Sequence, residues 1–176
     1  MKHLLIVITA LGFVACGTAD NDLNGGGSDD VAESALGLSG AADPIIRQYI
    51  PAERGVQRGY SGAVLTEGGT IVWLAGQTVV EDVDGNSIRG NFGAQAHEIF
   101  RRLGERLEGV DGSLGDIVTM TTYITDPRYA NQFVEIRGQY FDPDRTPSSA
   151  LITVVGFTRP GVLLEVKATA VVGDEA

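Results

Sequence analysis

Short runs of β-branched and aromatic residues alternate with polar residues in several parts of the chain. The segment 60–80, YSGAVLTEGGTIVWLAGQTVV, has two such runs on either side of Glu67, Gly68 and Gly69, which predicts a β-hairpin. The segment 116–126, DIVTMTTYITD, alternates in the same way and predicts a further strand. Two more strands are predicted in TPSSALITVVGFTRPGVLLEVKATAVV, residues 146–172, on either side of an Arg-Pro-Gly turn.

A first amphipathic helix is predicted between the second and third of these strands. Asn91 is a suitable N-cap, and Gly109 is a suitable end. The apolar residues between them fall on one helical face: Phe92, Ala96, Ile99, Phe100, Leu103 and Leu107.

A second helix is predicted after the third strand. Asp126 followed by Pro127 combines a side-chain cap with a proline in the first turn, and the helix is expected to stop at Asp142-Pro143. Its buried side is predicted to consist of Tyr129, Phe133, Ile136 and Tyr140.

The order of elements predicts an α+β fold. Strand, strand, helix, strand, helix, strand and strand pack most economically as one sheet with two helices on one face. The other face of the sheet also needs a cover, and in a domain of this size a second copy of the chain is the expected one.

The N-terminal segment has the pattern of an export signal. Residues 1–15 combine Lys2 with an apolar run, which predicts a signal peptide, and the small residues around Cys16 resemble the lipobox of bacterial lipoproteins. A secretory signal cut near Ala15, with an incidental cysteine, is the alternative. Both predict a bacterial protein that is exported, either periplasmic or anchored in a membrane through a lipid on Cys16. Residues 16–42, rich in Gly, Ser, Asp and Ala, are expected to form a flexible tether to a domain at 43–176.

Charge and composition exclude several classes of function. The formal net charge of −10 disfavours nucleic-acid binding. With two histidines and one cysteine in the chain, a Cys/His zinc cluster cannot be assembled, and no metal site is predicted. Ser61 and Ser149 have no adjacent histidine to activate them, and His97 is expected on a solvated helix face. Trp73, Tyr123 and Tyr140 are predicted to be packing residues.

Four segments, RGYSGAV, LAGQTVV, GDIVTMTTYITD and TPSSALITVVGFTRPGVLLEVKATAVV, together resemble the reactive-intermediate deaminase family (RidA/YjgF, RutC-like) in order and spacing. The resemblance covers the chain from about residue 60 to residue 172. It implies a two-layer domain of the chorismate-mutase-like type and a homotrimer with small-molecule clefts between subunits. Members of this family hydrolyse enamines and imines to 2-oxo acids and ammonia, without a metal or organic cofactor.

The resemblance also implies site residues. Tyr60 and Glu165 correspond to a cleft tyrosine and to the acid of the last strand, the candidate catalytic pair, and Gly76 matches the glycine of a ligand-binding motif. Glu165 either activates a water for attack on the imine carbon or is an interface acid that stabilises the trimer. Both interpretations remain open.

Three candidate ligand-binding positions depart from the family pattern. Ala75 replaces a common serine, Val134 an asparagine, and Ser149 the arginine that binds the substrate carboxylate. Loss of that arginine predicts a roughly ten- to several-hundred-fold lower affinity for small carboxylates. Arg145 and Arg159 are nearby candidates to replace it, although solvated loop charges are the favoured interpretation.

These departures leave three hypotheses. The chain is a hydrolase of imines or enamines, a non-catalytic trimeric protein that binds a small metabolite in the same cleft, or an interaction protein. An exported protein would rarely meet enamines produced in the cytosol, and this consideration, like Ser149, argues against standard deaminase activity. The acidic charge also disfavours ribonuclease activity.

Overall fold

The computed structural model describes residues 44–173, except for the side chain of Val56. The elements are β1 (Ile46–Pro51), α1 (Gly55–Arg58), β2 (Ser61–Glu67), β3 (Thr70–Gln77), α2 (Phe92–Glu108), β4 (Ile117–Ile124), α3 (Ala130–Arg137), β5 (Ser148–Thr153) and β6 (Leu164–Val172). The predicted signal peptide, the tether and Cys16 lie outside the described residues. Within 44–173, no helix is both long enough and apolar enough to cross a membrane.

The predicted α+β fold is confirmed. One mixed sheet has the strand order β1-β2-β5-β4-β6-β3, with β4 and β5 parallel and β6 antiparallel to both β4 and β3. Helices α2 and α3 cover one face of this sheet and enclose the core. Strand β1 and helix α1, which precede the first predicted strand, were not predicted from the sequence pattern.

Helix α2 forms as its sequence predicts. The side chain of Asn91 accepts a hydrogen bond from the backbone N–H of Ala94 at 3.1 Å, and Gly109 is the C-cap. All six apolar residues of the predicted face are buried: Phe92, Ala96, Ile99, Phe100, Leu103 and Leu107. Their contacts with the inner side of the sheet hold α2 in place.

The second predicted helix starts where expected but ends early. Asp126 caps a 3-10 turn, Pro127–Tyr129, by accepting a hydrogen bond from the N–H of Arg128, and α3 continues from it. The predicted end at Asp142-Pro143 is wrong, because α3 stops at Arg137 and Gly138 is its C-cap. Glycine has a low helix propensity, and turn hydrogen bonds replace the helix from this point. Tyr140 still packs, since its ring stacks on Phe100 from the turn that follows.

The predicted hairpin around Glu67, Gly68 and Gly69 is wrong. The two glycines adopt positive φ angles as a tight turn requires, but no register of paired residues joins β2 to β3 among the described strands. β2 instead pairs along its length with β1, and β3 pairs with β6. The β1–β2 ribbon joins the rest of the sheet through one residue pair, Ser61 with Ser148. Local turn chemistry was therefore overridden by pairing between strands distant in sequence.

The sheet face opposite the helices, called the open face below, carries exposed apolar side chains. Ile71 is 56% exposed, Trp73 77% and Ile152 43%. The prediction that Trp73 is a packing residue is therefore wrong within one chain. Exposed apolar side chains grouped on one surface are typical of an interaction site.

Candidate functional site

A cavity of about 460 Å³ lies between the β1–β2 connection, helix α3 and strand β5. We call it the arginine cavity. Its lining brings together three predicted site residues and three arginines: Tyr60, Val134, Ser149, Arg54, Arg58 and Arg137, with Leu151 as the remaining wall.

Two glycines place Tyr60 in this cavity. Gly59 adopts φ +61°, a left-handed conformation that ends α1 and that other residues rarely adopt. The backbone N–H of Tyr60 then donates to the carbonyl of Gly55 at 3.2 Å. A side chain at Gly55 would start only 2.3 Å from the carbonyl oxygen of Tyr60, so this return of the chain requires glycine.

Ser61 joins the β1–β2 connection to the start of β5 through hydrogen bonds. Its N–H donates to the carbonyl of Pro147 at 3.1 Å, and its hydroxyl donates to the carbonyl of Thr146 at 2.7 Å. These bonds hold Tyr60, the preceding residue, beside Ser149 at the cavity wall. Ser61 is thus a structural residue, in agreement with the prediction that no histidine activates it.

Arg137 supplies the buried guanidinium of the cavity. The residue is 3% exposed. Its Nη1 donates to the hydroxyl of Ser149 at 2.7 Å, and its Nη2 donates to the carbonyl of Arg58. The guanidinium carbon also lies 5.5 Å from the centre of the Phe133 ring, at the distance of a cation–π contact.

No carboxylate neutralises Arg137 in the part of the chain that the structure describes. Its buried Nε–H has no hydrogen-bond partner there either. Burial, and then the charge of Arg58, lower the pKa of Arg137 to about 10, so that the side chain remains a cation at neutral pH. A buried cation without a counter-charge is costly, and an anion in the cavity would offset this cost.

Arg137 was missed in the sequence, where Arg145 and Arg159 were the candidate replacements for the arginine at position 149. Neither of these two lines the arginine cavity. A signal was present: Arg137 follows Val134 by three residues, and side chains with this spacing are neighbours on one helix face. Placing Val134 in the cleft therefore also places Arg137 beside it.

A second group of predicted residues surrounds Glu165. A β-bulge in β3 interrupts pairing with β6 between Leu74 and Gln77, at Ala75 and Gly76. A Cβ atom added at Gly76 would lie 2.2 Å from the Oε1 atom of Glu165, so the half-buried carboxylate rests against the bare glycine. Glycine is required here because the acid approaches the backbone so closely.

The two groups lie on opposite faces of the sheet. Ser149 is paired with Met120, a core residue, so that its side chain points toward the helices. Glu165 is paired with Tyr123, and its sequence neighbours Leu164 and Val166 are buried beneath the helices, so that Glu165 points to the open face. Within one chain, the structure does not bring Glu165 together with Tyr60 or Ser149.

A second groove, of about 560 Å³, runs along α2 and is lined by His97, Glu98 and Arg101 among others. His97 is exposed there, as predicted, and its Nδ1 lies 2.8 Å from the hydroxyl of Tyr140. Glu98 is held by Arg101 and Arg102, and these hydrogen bonds, that from Arg101 most strongly, lower its pKa to about 2. Residues 44–173 contain no cluster of potential metal ligands.

Comparison with known proteins identifies the family of this chain. The family model described as endoribonuclease L-PSP matches residues 52–172. A RutC family protein of Pyrococcus horikoshii is 25% identical over 111 residues, which are 63% of this chain and 85% of that protein.

Solved structures of the same fold include a Rid family protein, YyfB, from Yersinia pestis. Its TM-score is 0.64 at 24% identity, covering 72% of this chain and 98% of that one. A member of the YjgF family from Mycobacterium tuberculosis has a TM-score of 0.51 at 29% identity, covering 72% of this chain and 100% of that one. The matched residues span nearly all of the described domain, and the chain belongs to the endoribonuclease L-PSP family, the RidA/RutC-like proteins.

Proposed function

We propose that the arginine cavity binds a small carboxylate, and that the protein hydrolyses 2-imino or enamine acids to 2-oxo acids and ammonia. The observation that carries this proposal is the buried guanidinium of Arg137, which has no counter-charge among the described residues and an unused Nε–H donor. Arginine is well suited to bind a carboxylate, because its planar fork forms charge-assisted hydrogen bonds.

Arg137 takes over the role of the arginine that Ser149 replaces. The family resemblance puts a cationic side chain at position 149, whereas here Nη1 of Arg137 reaches the Ser149 hydroxyl from helix α3. The positive charge thus arises from another element but is directed to the same wall. This contact supports carboxylate binding despite the serine, and it removes the main sequence argument against an imino-acid ligand.

A homotrimer would complete the site. The open face presents Ile71, Trp73 and Ile152 to solvent, and further copies of the chain would cover these apolar side chains. We propose that this assembly brings Glu165 of one subunit to the arginine cavity of a neighbour, because one chain separates the two by its sheet.

The proposed chemistry needs one carboxylate that transfers a proton. Glu165 accepts a proton from water as the water oxygen attacks the imine carbon, and passes this proton to the imine nitrogen, which gives a neutral carbinolamine. The same carboxylate then takes the proton of the carbinolamine hydroxyl and delivers it to the nitrogen as the C–N bond breaks, which releases ammonia and leaves the 2-oxo acid. Tyr60 would donate a hydrogen bond to the ligand from the cavity wall.

The purified protein is expected to accelerate 2-oxo acid release from imino acids generated by an amino acid oxidase. Glu165→Gln should lower this rate by at least about a hundredfold, as for loss of a general base. Glu135→Gln, an exposed acid of α3, is the matched control. The measurement is semicarbazide trapping of the imino acid against time. A rate of 2-oxo acid release that is no faster at high protein concentration than in buffer alone would rule out deaminase activity.

The alternative is a non-catalytic trimer that binds a metabolite. One observation favours it: within a chain, the anion-binding cavity contains no carboxylate to act as a base. Tight carboxylate binding without any turnover, in the same protein preparation, would select this alternative. Ribonuclease activity, which the family name suggests, is not favoured here, because a chain with a net charge of −10 repels the phosphates of RNA.

We propose further that the protein is exported and anchored to a membrane through a lipid on Cys16. The apolar run before the cysteine and the small residues that flank it support this proposal. We expect mass spectrometry of the protein from its bacterial host to find a diacylated or triacylated N-terminal cysteine, and Cys16→Ser to release it from membranes. An unmodified N-terminus within the 16–42 segment would instead identify a plain secretory signal.

A further inference from the structure

Arg54 and Arg58 line the arginine cavity together with Arg137, and none of the residues that line it is acidic. This composition is unlike that of the whole chain, which has 23 acidic and 13 basic residues. Three of the 13 basic side chains therefore meet at one small cavity. A single carboxylate, bound by Arg137 alone, does not account for the other two.

The sequence of α1 does not favour this arrangement by itself. The backbone N–H of Arg58 donates to the carbonyl of Arg54 at 3.2 Å, so the two arginines are one helical turn apart and on one face. Like charges at this spacing repel and destabilise a helix. The first turn of α1 contains no acidic residue, and no side chain caps it. An anion between the two arginines would offset their repulsion.

Within residues 44–173, the contacts of Arg58 include no acidic side chain. Its Nη1 donates to the neutral side-chain oxygen of Asn131 at 3.2 Å, while its carbonyl accepts from Arg137. Arg58 is close enough to Arg137 for its charge to lower the pKa of that residue. The cavity thus holds neighbouring cations that the protein itself does not neutralise in the described region.

We propose that the ligand of the arginine cavity carries two anionic groups, one bound by Arg137 and Ser149 and the other by Arg54 and Arg58. This inference rests on the proposed function and names its substrate class. Val134 and Leu151 are the aliphatic residues of the cavity lining, and they suit a short carbon chain. A volume of about 460 Å³ also fits a small molecule. A 2-imino or 2-oxo dicarboxylic acid has this chemistry, as does a short carboxylic acid with a phosphate at the other end.

Calorimetry of the purified protein with three probes tests the inference. 2-Oxobutanoate offers one carboxylate, 2-oxoglutarate two, and 3-phosphoglycerate one carboxylate and one phosphate. We expect at least one of the two doubly anionic probes to bind about tenfold more tightly than 2-oxobutanoate. The tighter of the two identifies the second group as carboxylate or phosphate.

The double variant Arg54→Gln/Arg58→Gln should remove this preference and bring the ratio of affinities close to one. Arg102→Gln/Arg106→Gln, a pair at the same spacing on α2, is the matched control and should keep the ratio. Equal affinity for all three probes in the unmodified protein would overturn the inference while leaving the proposed function intact. If none of the probes binds, both are wrong. A preference that survives the Arg54/Arg58 double variant would also overturn the inference.

Discussion

Arg137→Met is expected to lower the affinity for a small 2-oxo acid roughly ten- to several-hundred-fold. The substitution removes a buried cation and its charge-assisted bond to the ligand, each such bond being worth about 1.5–3 kcal/mol. Calorimetry with 2-oxobutanoate, or with whichever probe binds most tightly, measures the change. Arg106→Met is the matched control, since Arg106 also lies in the last turn of a helix but is exposed.

The stability of the ligand-free protein separates binding from a structural role. The lowered pKa of Arg137 corresponds to about 3 kcal/mol against its charged form, a cost present in full at neutral pH and relieved only as pH rises above about 10. Methionine avoids this cost but forfeits two hydrogen bonds donated by a charged group, each worth about 1.5–3 kcal/mol, so that at the lower end of this range the two contributions cancel. We therefore expect the melting temperature of Arg137→Met to change little.

A purely structural arginine gives the opposite result. Arg137→Met would then melt well below the unmodified protein, and the ligand affinity of the folded fraction would be unchanged. Arg137→Lys adds a further check, because it keeps the charge but loses the planar fork. Affinity for the lysine variant between those of the other two proteins is the expected outcome.

Trp73→Glu is expected to convert a protein with the mass of three chains into one with the mass of a single chain. Trp73 is 77% exposed within the chain, so glutamate costs the isolated subunit little. In an assembly that covers the open face, the same carboxylate is buried without a partner, at a cost of several kcal/mol. Light scattering coupled to size exclusion measures the mass, and circular dichroism checks that the fold is kept.

A control variant and a second measurement complete the test of Trp73→Glu. Val83→Glu is the matched control, because Val83 is 67% exposed but lies in the segment between β3 and α2, away from the open face. Trp73 is also the only tryptophan of the chain, so its fluorescence emission should be blue-shifted in the native assembly. A single-chain mass and a solvent-like emission for the unmodified protein would remove the proposed cleft between subunits.

Much of the fold was predictable from local sequence. The Asn91 cap, the helical spacing of the apolar residues after it and the Asp126-Pro127 start are signals that neighbouring residues satisfy among themselves. The alternation in β4 and β6 likewise marks one buried side over most of each strand, with these residues buried in alternation: Met120, Thr122 and Ile124 in β4, and Leu164, Val166, Ala168 and Ala170 in β6. These elements formed as predicted because their cause is local.

The failures involve partners distant in sequence. The Gly68-Gly69 turn is formed, but β2 lies beside β1 and β3 beside β6, since a strand's partner depends on competition among all available edges. For the same reason, the local pattern predicted a strand at β3 but not that Trp73 is left uncovered in one chain.

The candidate site divides in the same way. Three predicted residues, Tyr60, Val134 and Ser149, do line one cavity. Comparison with the family pattern nevertheless suggested that a positive charge is lost, because such a comparison considers only the residue at position 149. The guanidinium of Arg137 reaches that wall from α3, and side chains that converge from different elements leave no fixed spacing in the sequence.

The sequence by itself determined the α+β composition, the helix starts, the acidic charge and the family, since each of these depends on residue identity and short-range order. Only the tertiary structure decided that the guanidinium of Arg137 on α3 reaches Ser149 on β5, and that Tyr60 and Glu165 lie on opposite sides of one sheet. Both facts depend on how elements distant in the chain pack together. The guanidinium lies at the end of a long side chain, so its position in the fold depends on this packing more than on the position of arginine in the sequence.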